Sequence, residues 1–376
     1  VLMVQSIGGG GGFTTLDEIG TGEKNTNTIR LGDKLSTSSK AGSIQLINTG
    51  NLFSAGRSSS ALVVQSIGGG GGNIRRINVS DIDSNMMLGS INNENGASGD
   101  IDVANTGSII QTIGDYARPI LIQSIGAGGG WLAGSTTSNV STTMGAINPS
   151  GTGSSGNITA RNTADISSEG LSAGGVFIQT IGGGGGLIGM KTGQIQMGLR
   201  DGVGIANSGS VDFTNTGNII TKGNDSPALL LQSIAGGGGR ADQYYGNAHL
   251  GLSGNNGTLT AKSGNITLDN KGNSISTQGY SSPGITVQTI AGGGGFLGEQ
   301  LTSTDSTDDD LIGNFGAGDY ISDGNGEIKN DVKNDVLDSG DINITNESII
   351  STKGNISPGL LAQSVGGGGG YAGGMN

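Results

Sequence analysis

One serine, one histidine and one run of aspartates are the residues here whose types invite chemistry. Gly170-Leu171-Ser172-Ala173-Gly174 matches the G-x-S-x-G string that can present a nucleophilic serine on a tight strand-to-helix turn. His249 is the only histidine, so it alone is available as an imidazole base. The serine string runs into VFIQTI, which reads as a strand, and the helix that the motif requires is missing. Asp305, Asp308, Asp309 and Asp310 offer the oxygen ligands that Ca²⁺ prefers. Their spacing matches no standard calcium loop, so a solvated acidic run is the competing and simpler reading. The chain has no cysteine, which removes disulfides, thiolate metal sites and cysteine nucleophiles. Runs of glycine contain G-x-G-x-x-G trivially and carry no nucleotide signal without a strand–turn–helix setting. No cofactor is expected, and the chain does not read as an enzyme.

The elements that would position such residues are set by repetition. The string Q-S/T-I/V followed by five small residues, nearly all glycine, recurs seven times. Its glutamines are Gln5, Gln65, Gln123, Gln179, Gln232, Gln288 and Gln363, at spacings of 60, 58, 56, 53, 56 and 75 residues. A nearly constant period marks a repeat architecture, in which neighbouring units share one core. Residues 1–376 therefore read as one continuous array, with six full periods between Gln5 and Gln363. The array begins inside one copy of the motif and ends just past another, so it is expected to extend in both directions within a longer protein. The last period is lengthened by an acidic insertion at 302–335, read as a surface loop or small hairpin extruded from a corner.

Upstream of each glutamine lies a second pattern, as in GSIQLINTGNLFSAG (42–56) and GSVDFTNTGNIITKG (209–223). Alternating apolar positions indicate strands with one buried face. The Asn-Thr-Gly triplets are read as tight turns, since Asn and Gly tolerate the left-handed conformation. Three such strands make one coil of about 25 residues, so a period of about 56 residues is expected to hold two coils of a parallel β-helix. Twelve coils at ~4.8 Å each give a rod on the order of 60 Å. Segments such as LIGMKTGQIQMGLRDGVGIANSG (187–209) would form the second, less regular coil. No segment combines a 3.6-residue apolar period with good helix formers.

On that scheme successive glutamines stand ~9.6 Å apart, too far for amide-to-amide bonding, and each is expected to bond the coil between from a corner. Ser6, Ser66, Ser124, Thr180, Ser233, Thr289 and Ser364 follow the same structural logic. The glycine runs are expected to be ordered, lying side by side in a polyproline-II-like conformation with lateral hydrogen bonds. After them come Phe13, Asn73, Trp131, Leu187, Arg240, Phe296 and Tyr371. Packing over a glycine face is the expected use of this column. An exposed contact row of Phe13, Trp131, Phe296 and Tyr371, suited to sugars or host surfaces, is the rival.

Composition bounds the partners. Charged residues make up 13 % of the chain and the net charge is −12, so the clustered Lys and Arg that nucleic acid requires are missing. No apolar run approaches the ~20 residues that span a bilayer.

The combination N-x-G-x-I-x-T-x-G with a following Q-S-I-G-G-G-G-G resembles repeats in the passenger regions of large Gram-negative autotransporters, across essentially all of the chain. The resemblance implies a right-handed parallel β-helix, export to the cell surface, and a membrane β-barrel elsewhere in the full-length protein. It implies a stalk or display rod in adhesion, aggregation or biofilm, tethered to the outer membrane. Self-association, or contact with host or bacterial surface glycans or proteins, is the partner class implied. Two alternatives stand beside it: a glycan-cleaving parallel β-helix with carboxylates in a lateral groove, and a phage or extracellular fibre segment.

Overall fold

The computed structural model describes residues 2–16, 27–32, 38–79, 84–91, 95–136, 140–146, 152–192, 194–199, 204–244, 248–251, 259–300, 314–315 and 336–372. The regular elements among them are all β-strands, collected into six parallel sheets of six or seven strands. The chain is a parallel β-helix. One turn of it, taken from the middle, runs Val176–Ile181, Gly185–Thr192, Ile195–Met197, Gly204–Asn207, Val211–Asn215 and Ile219–Thr221. These strands belong in that order to sheets we label A to F, after which the chain re-enters sheet A at Leu229–Ile234. We number the turns, or rungs, one to seven by their sheet A strands, which begin at Leu2, Leu62, Ile120, Val176, Leu229, Ile285 and Leu360.

Each repeat is therefore a single turn of six strands, and not two coils of three. Gln5 lies in register with Gln65, and Asn105 with Asn162, so each strand pairs with the equivalent strand one full repeat away. Seven rungs span about 30 Å at the ~4.8 Å strand spacing, half the length expected from two coils per repeat. The two three-strand halves of a repeat lie side by side within one rung instead of stacking along the axis.

Sheet A explains why. Its five inner strands are buried on both faces, and their near-continuous apolar runs are what such a strand needs. Leu62 and Val64 point to a core completed by Ile101 and Val103 of sheet E and Ile110 of sheet F. Val63, Leu121 and Phe177 point the other way, onto Trp131, Leu187 and Phe296 of sheet B. The far face of sheet B, at Ile74, Leu132 and Ile188, packs on Met86, Leu88 and Met144 of sheet C. A rung thus has layers in the order E/F, A, B, C. Sheet D closes the side where Ala206 and Ala261 meet Ala127 and Ala235 of the glycine bends.

The insertion also contributes to the rung. Asn314–Phe315 pairs in parallel with Ala248–Leu250 of sheet C, so part of the acidic segment is a rung strand and not wholly an extruded loop. No helix among the described residues is long and apolar enough to cross a membrane.

Candidate functional site

The residues that repeat most faithfully converge on the seam between sheets A and B. Gln5 Nε2 donates to Gln65 Oε1, and the same bond links Gln65 to Gln123, Gln123 to Gln179, Gln179 to Gln232, Gln232 to Gln288 and Gln288 to Gln363, each at 2.7 Å. The direct amide ladder that a 9.6 Å spacing would forbid is present, because the glutamines stand one rung apart. Each lies within its strand rather than at a corner. Nε2 of Gln123, Gln179, Gln232 and Gln288 points its second proton, and Gln363 Nε2 its only bonded one, to the carbonyl of the glycine seven residues on, at 3.3–3.4 Å. The ladder thus holds the glycine runs as well as itself.

Those runs are ordered, with lateral backbone bonds such as Gly129 N to Gly70 O at 3.2 Å. They do not follow polyproline II. Gly71 and Gly72 have φ of 129° and 128°, an extended backbone mirrored from the ordinary strand, and they pair with Gly129 and Gly130. A Cβ on Gly129 would sit 1.9 Å from the Gly185 carbonyl oxygen, so no L side chain fits the slot. A second glycine column opposes the run: a Cβ on Gly128 would lie 2.5 Å from the Cα of Gly89, which follows the sheet C strand. The chain can reverse from sheet A to sheet B here because two backbones approach without side chains between them.

On the opposite face of sheet A the small hydroxyls bridge to the corner before sheet E. Ser124 Oγ donates to Gly99 O and accepts from Gly156 N, both at 3.0 Å, which joins two rungs. Ser66 and Ser233 repeat the arrangement.

A second amide ladder was hidden in the Asn-Thr-Gly and related triplets. Asn48, Asn105, Asn162, Asn215, Asn270 and Asn346 form a continuous Nδ2-to-Oδ1 chain at 2.6–2.8 Å. Asn48, Asn162, Asn215 and Asn346 also cap the carbonyl two residues on, at 2.8–2.9 Å. None of these asparagines has a positive φ, so they are chosen for their amides and not for left-handed turns. The left-handed slot lies elsewhere, at Ser58, Tyr116, Ser172, Asp225, Ser281 and Ile356, in the loop between sheets F and A. Thr112, Thr221 and Thr277 close that loop by donating to the carbonyl five residues on, at 2.6–2.7 Å. Ser172 is thus one member of a repeated turn position, fully buried, whereas His249 belongs to a sheet C strand. Two other rungs also carry serine in this slot, Ser58 and Ser281, and three carry Tyr116, Asp225 or Ile356, a mixture set by the turn and not by one chemistry.

The column after the glycines is interior for most of its length. Trp131, Leu187 and Phe296 are fully buried between sheets A and B, which removes Trp131 and Phe296 from any contact row. Phe13 on the first rung is 48 % exposed, and Tyr371 on the last packs its ring 4.8 Å from that of Phe296. The polar members of the column are equally enclosed. Arg240 lies beside Asp242, its Nε donating to Oδ1 at 2.5 Å, and Arg118 donates from Nη2 to the other carboxylate oxygen. All three side chains are fully buried. Both guanidinium groups lie over the ring of Phe177, with Arg118 Cζ 5.0 Å and Arg240 Cζ 5.2 Å from its centre. Tyr116 donates its hydroxyl to Gln243 Oε1 at 2.9 Å. Burial lowers the Arg118 pKa and Asp242 opposes the shift; burial, with Asp242 adding to it, raises that of Tyr116. The sequence signals for this cluster were an arginine where five of the six other rungs carry an apolar residue, and an aspartate two positions on.

Outside, Asp100 and Asp102 line a shallow groove on sheet E with Gln45, Asn157 and Thr159. Asp100 Oδ1 accepts Asn157 N at 2.7 Å, another bond between rungs. Asp305, Asp308, Asp309 and Asp310 lie outside the described residues. Among the described residues no three His, Cys, Asp or Glu side chains are grouped to hold a metal. Comparison with protein-family models, with curated proteins and with solved structures returned no match.

Proposed function

We propose that the chain is a structural and interaction segment of a secreted, cell-surface adhesin of autotransporter type, serving as a rigid stalk or display rod in adhesion, aggregation or biofilm. One observation carries the reading: the most faithfully repeated side chains, Gln and Asn, bond to their own copies on the next rung. A residue whose partner is its own copy serves cohesion along the axis. The likeness of the Q-S-I-G-G-G-G-G string to passenger repeats adds the surface setting. The receptor contact, whether another copy or a surface glycan or protein, and the membrane β-barrel belong on this reading to other parts of a longer chain.

The test uses the full-length gene product displayed on a Gram-negative host, with an epitope tag within the acidic insertion. Removing residues 44–100 deletes one rung, because Ile44 and Ile101 are in register. The tag is expected to be reached by antibody on intact cells, and adhesion to survive the deletion. A tag that stays hidden opposes the surface reading. Loss of adhesion with display intact opposes the spacer role and places a binding site in the deleted rung.

A further inference from the structure

We propose that Arg118, Asp242 and Arg240 form an axial staple that makes rungs three to five one cooperative unit within an otherwise rung-by-rung solenoid. In a stacked array each unit ordinarily touches only its neighbours, and stability is a sum of nearest-neighbour terms. This cluster departs from that rule. Arg118 lies two residues before the rung-three strand Ile120–Ile125, whereas Arg240 and Asp242 lie in the rung-five strand Gly238–Tyr244. The Arg118–Asp242 pair therefore crosses rung four, over two strand spacings, ~9.6 Å.

Rung four is shaped to let it pass. Gly189 stands where a Cβ would come within 2.8 Å of Arg118 Nη1, so a side chain there would press on the guanidinium. Phe177, also of rung four, has both guanidinium groups over its ring. The staple reaches upward as well, with Arg240 Cζ 4.1 Å from the ring centre of Phe296 in rung six. Arg240 Nη2 further donates to Asp225 O at 2.7 Å, and Tyr116 to Gln243 supplies a second direct bond between rungs three and five. In the other rungs the Arg118 position, two residues before the sheet A strand, is Ser60, Gly174, Pro227, Pro283 or Pro358. None of these can supply a cation.

The physical consequence follows from burial. Separating rung three from rung four or rung four from rung five strands a buried charge, which is far more costly than opening an interface held by neutral amides. Rungs three to five should open together, and the rungs on either side singly. This concerns the chain alone, so its failure would leave the display reading untouched.

Single-molecule stretching of the chain between handles tests it. The 165 residues of rungs three to five, from Ile120 to Gly284, are expected to release in one event of about 600 Å, against about 200 Å for a single rung. Asp242→Asn is expected to break the large event into single-rung steps. Because that variant strands two buried arginines and can fail to fold, a charge-free variant that also neutralises the buried Asp225 beside Arg240, R118M/D225N/D242L/R240M, is measured beside it. It is expected to lose the common step and to speed amide hydrogen exchange in Val176–Ile181 at least tenfold relative to Leu2–Ile7. Single-rung steps through this region in the unaltered chain, or a common step that survives in the charge-free variant, would overturn the proposal.

Discussion

Replacing Gln179 with leucine tests the central structural claim, that the glutamine ladder is a set of buried bonds each needing both partners. Gln179 Nε2 donates to Gln232 Oε1 at 2.7 Å and to Gly186 O at 3.3 Å, and its Oε1 accepts from Gln123 Nε2 at 2.7 Å. Leucine deletes all three and leaves Gln123 with an idle donor and Gln232 with an idle acceptor, both fully buried. Each orphaned buried group costs about 1–3 kcal/mol. The added apolar burial returns about 1 kcal/mol. The expected loss is about 3 kcal/mol. Gln363→Leu supplies the internal control, since it orphans only the Gln288 donor in the ladder and should cost about half as much. Urea unfolding followed through Trp131, the only tryptophan and fully buried on rung three, reports the change. Glutamate at 179 adds a signature: as a neutral acid it can both donate and accept, so its stability should recover as pH falls toward 4. A loss below about 0.5 kcal/mol for Gln179→Leu would refute the reasoning, because buried amides without partners cannot be that cheap.

Gly145→Ala is expected to unfold the middle rungs, since φ is 130° and the new Cβ would lie 2.2 Å from the Gly198 carbonyl oxygen. Gly50→Ala, whose nearest neighbour is 3.8 Å away, should stay within about 0.5 kcal/mol by thermal unfolding. Alkaline pH supplies a further check: burial pushes Tyr244 up to about 12 and Tyr116 higher still. Unfolded tyrosine ionises near pH 10. Above that pH the unfolded chain loses protons that the folded chain keeps, so stability present below pH 10 should fall by up to about 1.4 kcal/mol per pH unit per tyrosine. Tyr244→Phe should flatten the decline measured by urea unfolding between pH 10 and 12.

Much of this protein could be read from its residues in order. The seven copies of the Q-S-I string established equivalence, the alternating apolar positions established strands, and the glycine runs announced a place without side chains. The near-continuous apolar run in strands such as Leu62–Ile67 also carried the clue that sheet A is covered on both faces. What periodicity could not decide is which equivalent residues become neighbours. A repeat of two three-strand halves is compatible with two stacked coils or with one double-width rung. Only packing on both faces of sheet A selects the second. That choice brings Gln179 within 2.7 Å of Gln232, turns the asparagine triplets into a ladder, and buries Trp131 and Phe296. It also lets Arg118 meet Asp242, 124 residues away, a pairing that the repeat period does not specify. Repetition sets the period of a solenoid along the chain, but the neighbours of a side chain are set by how layers close over one another in space.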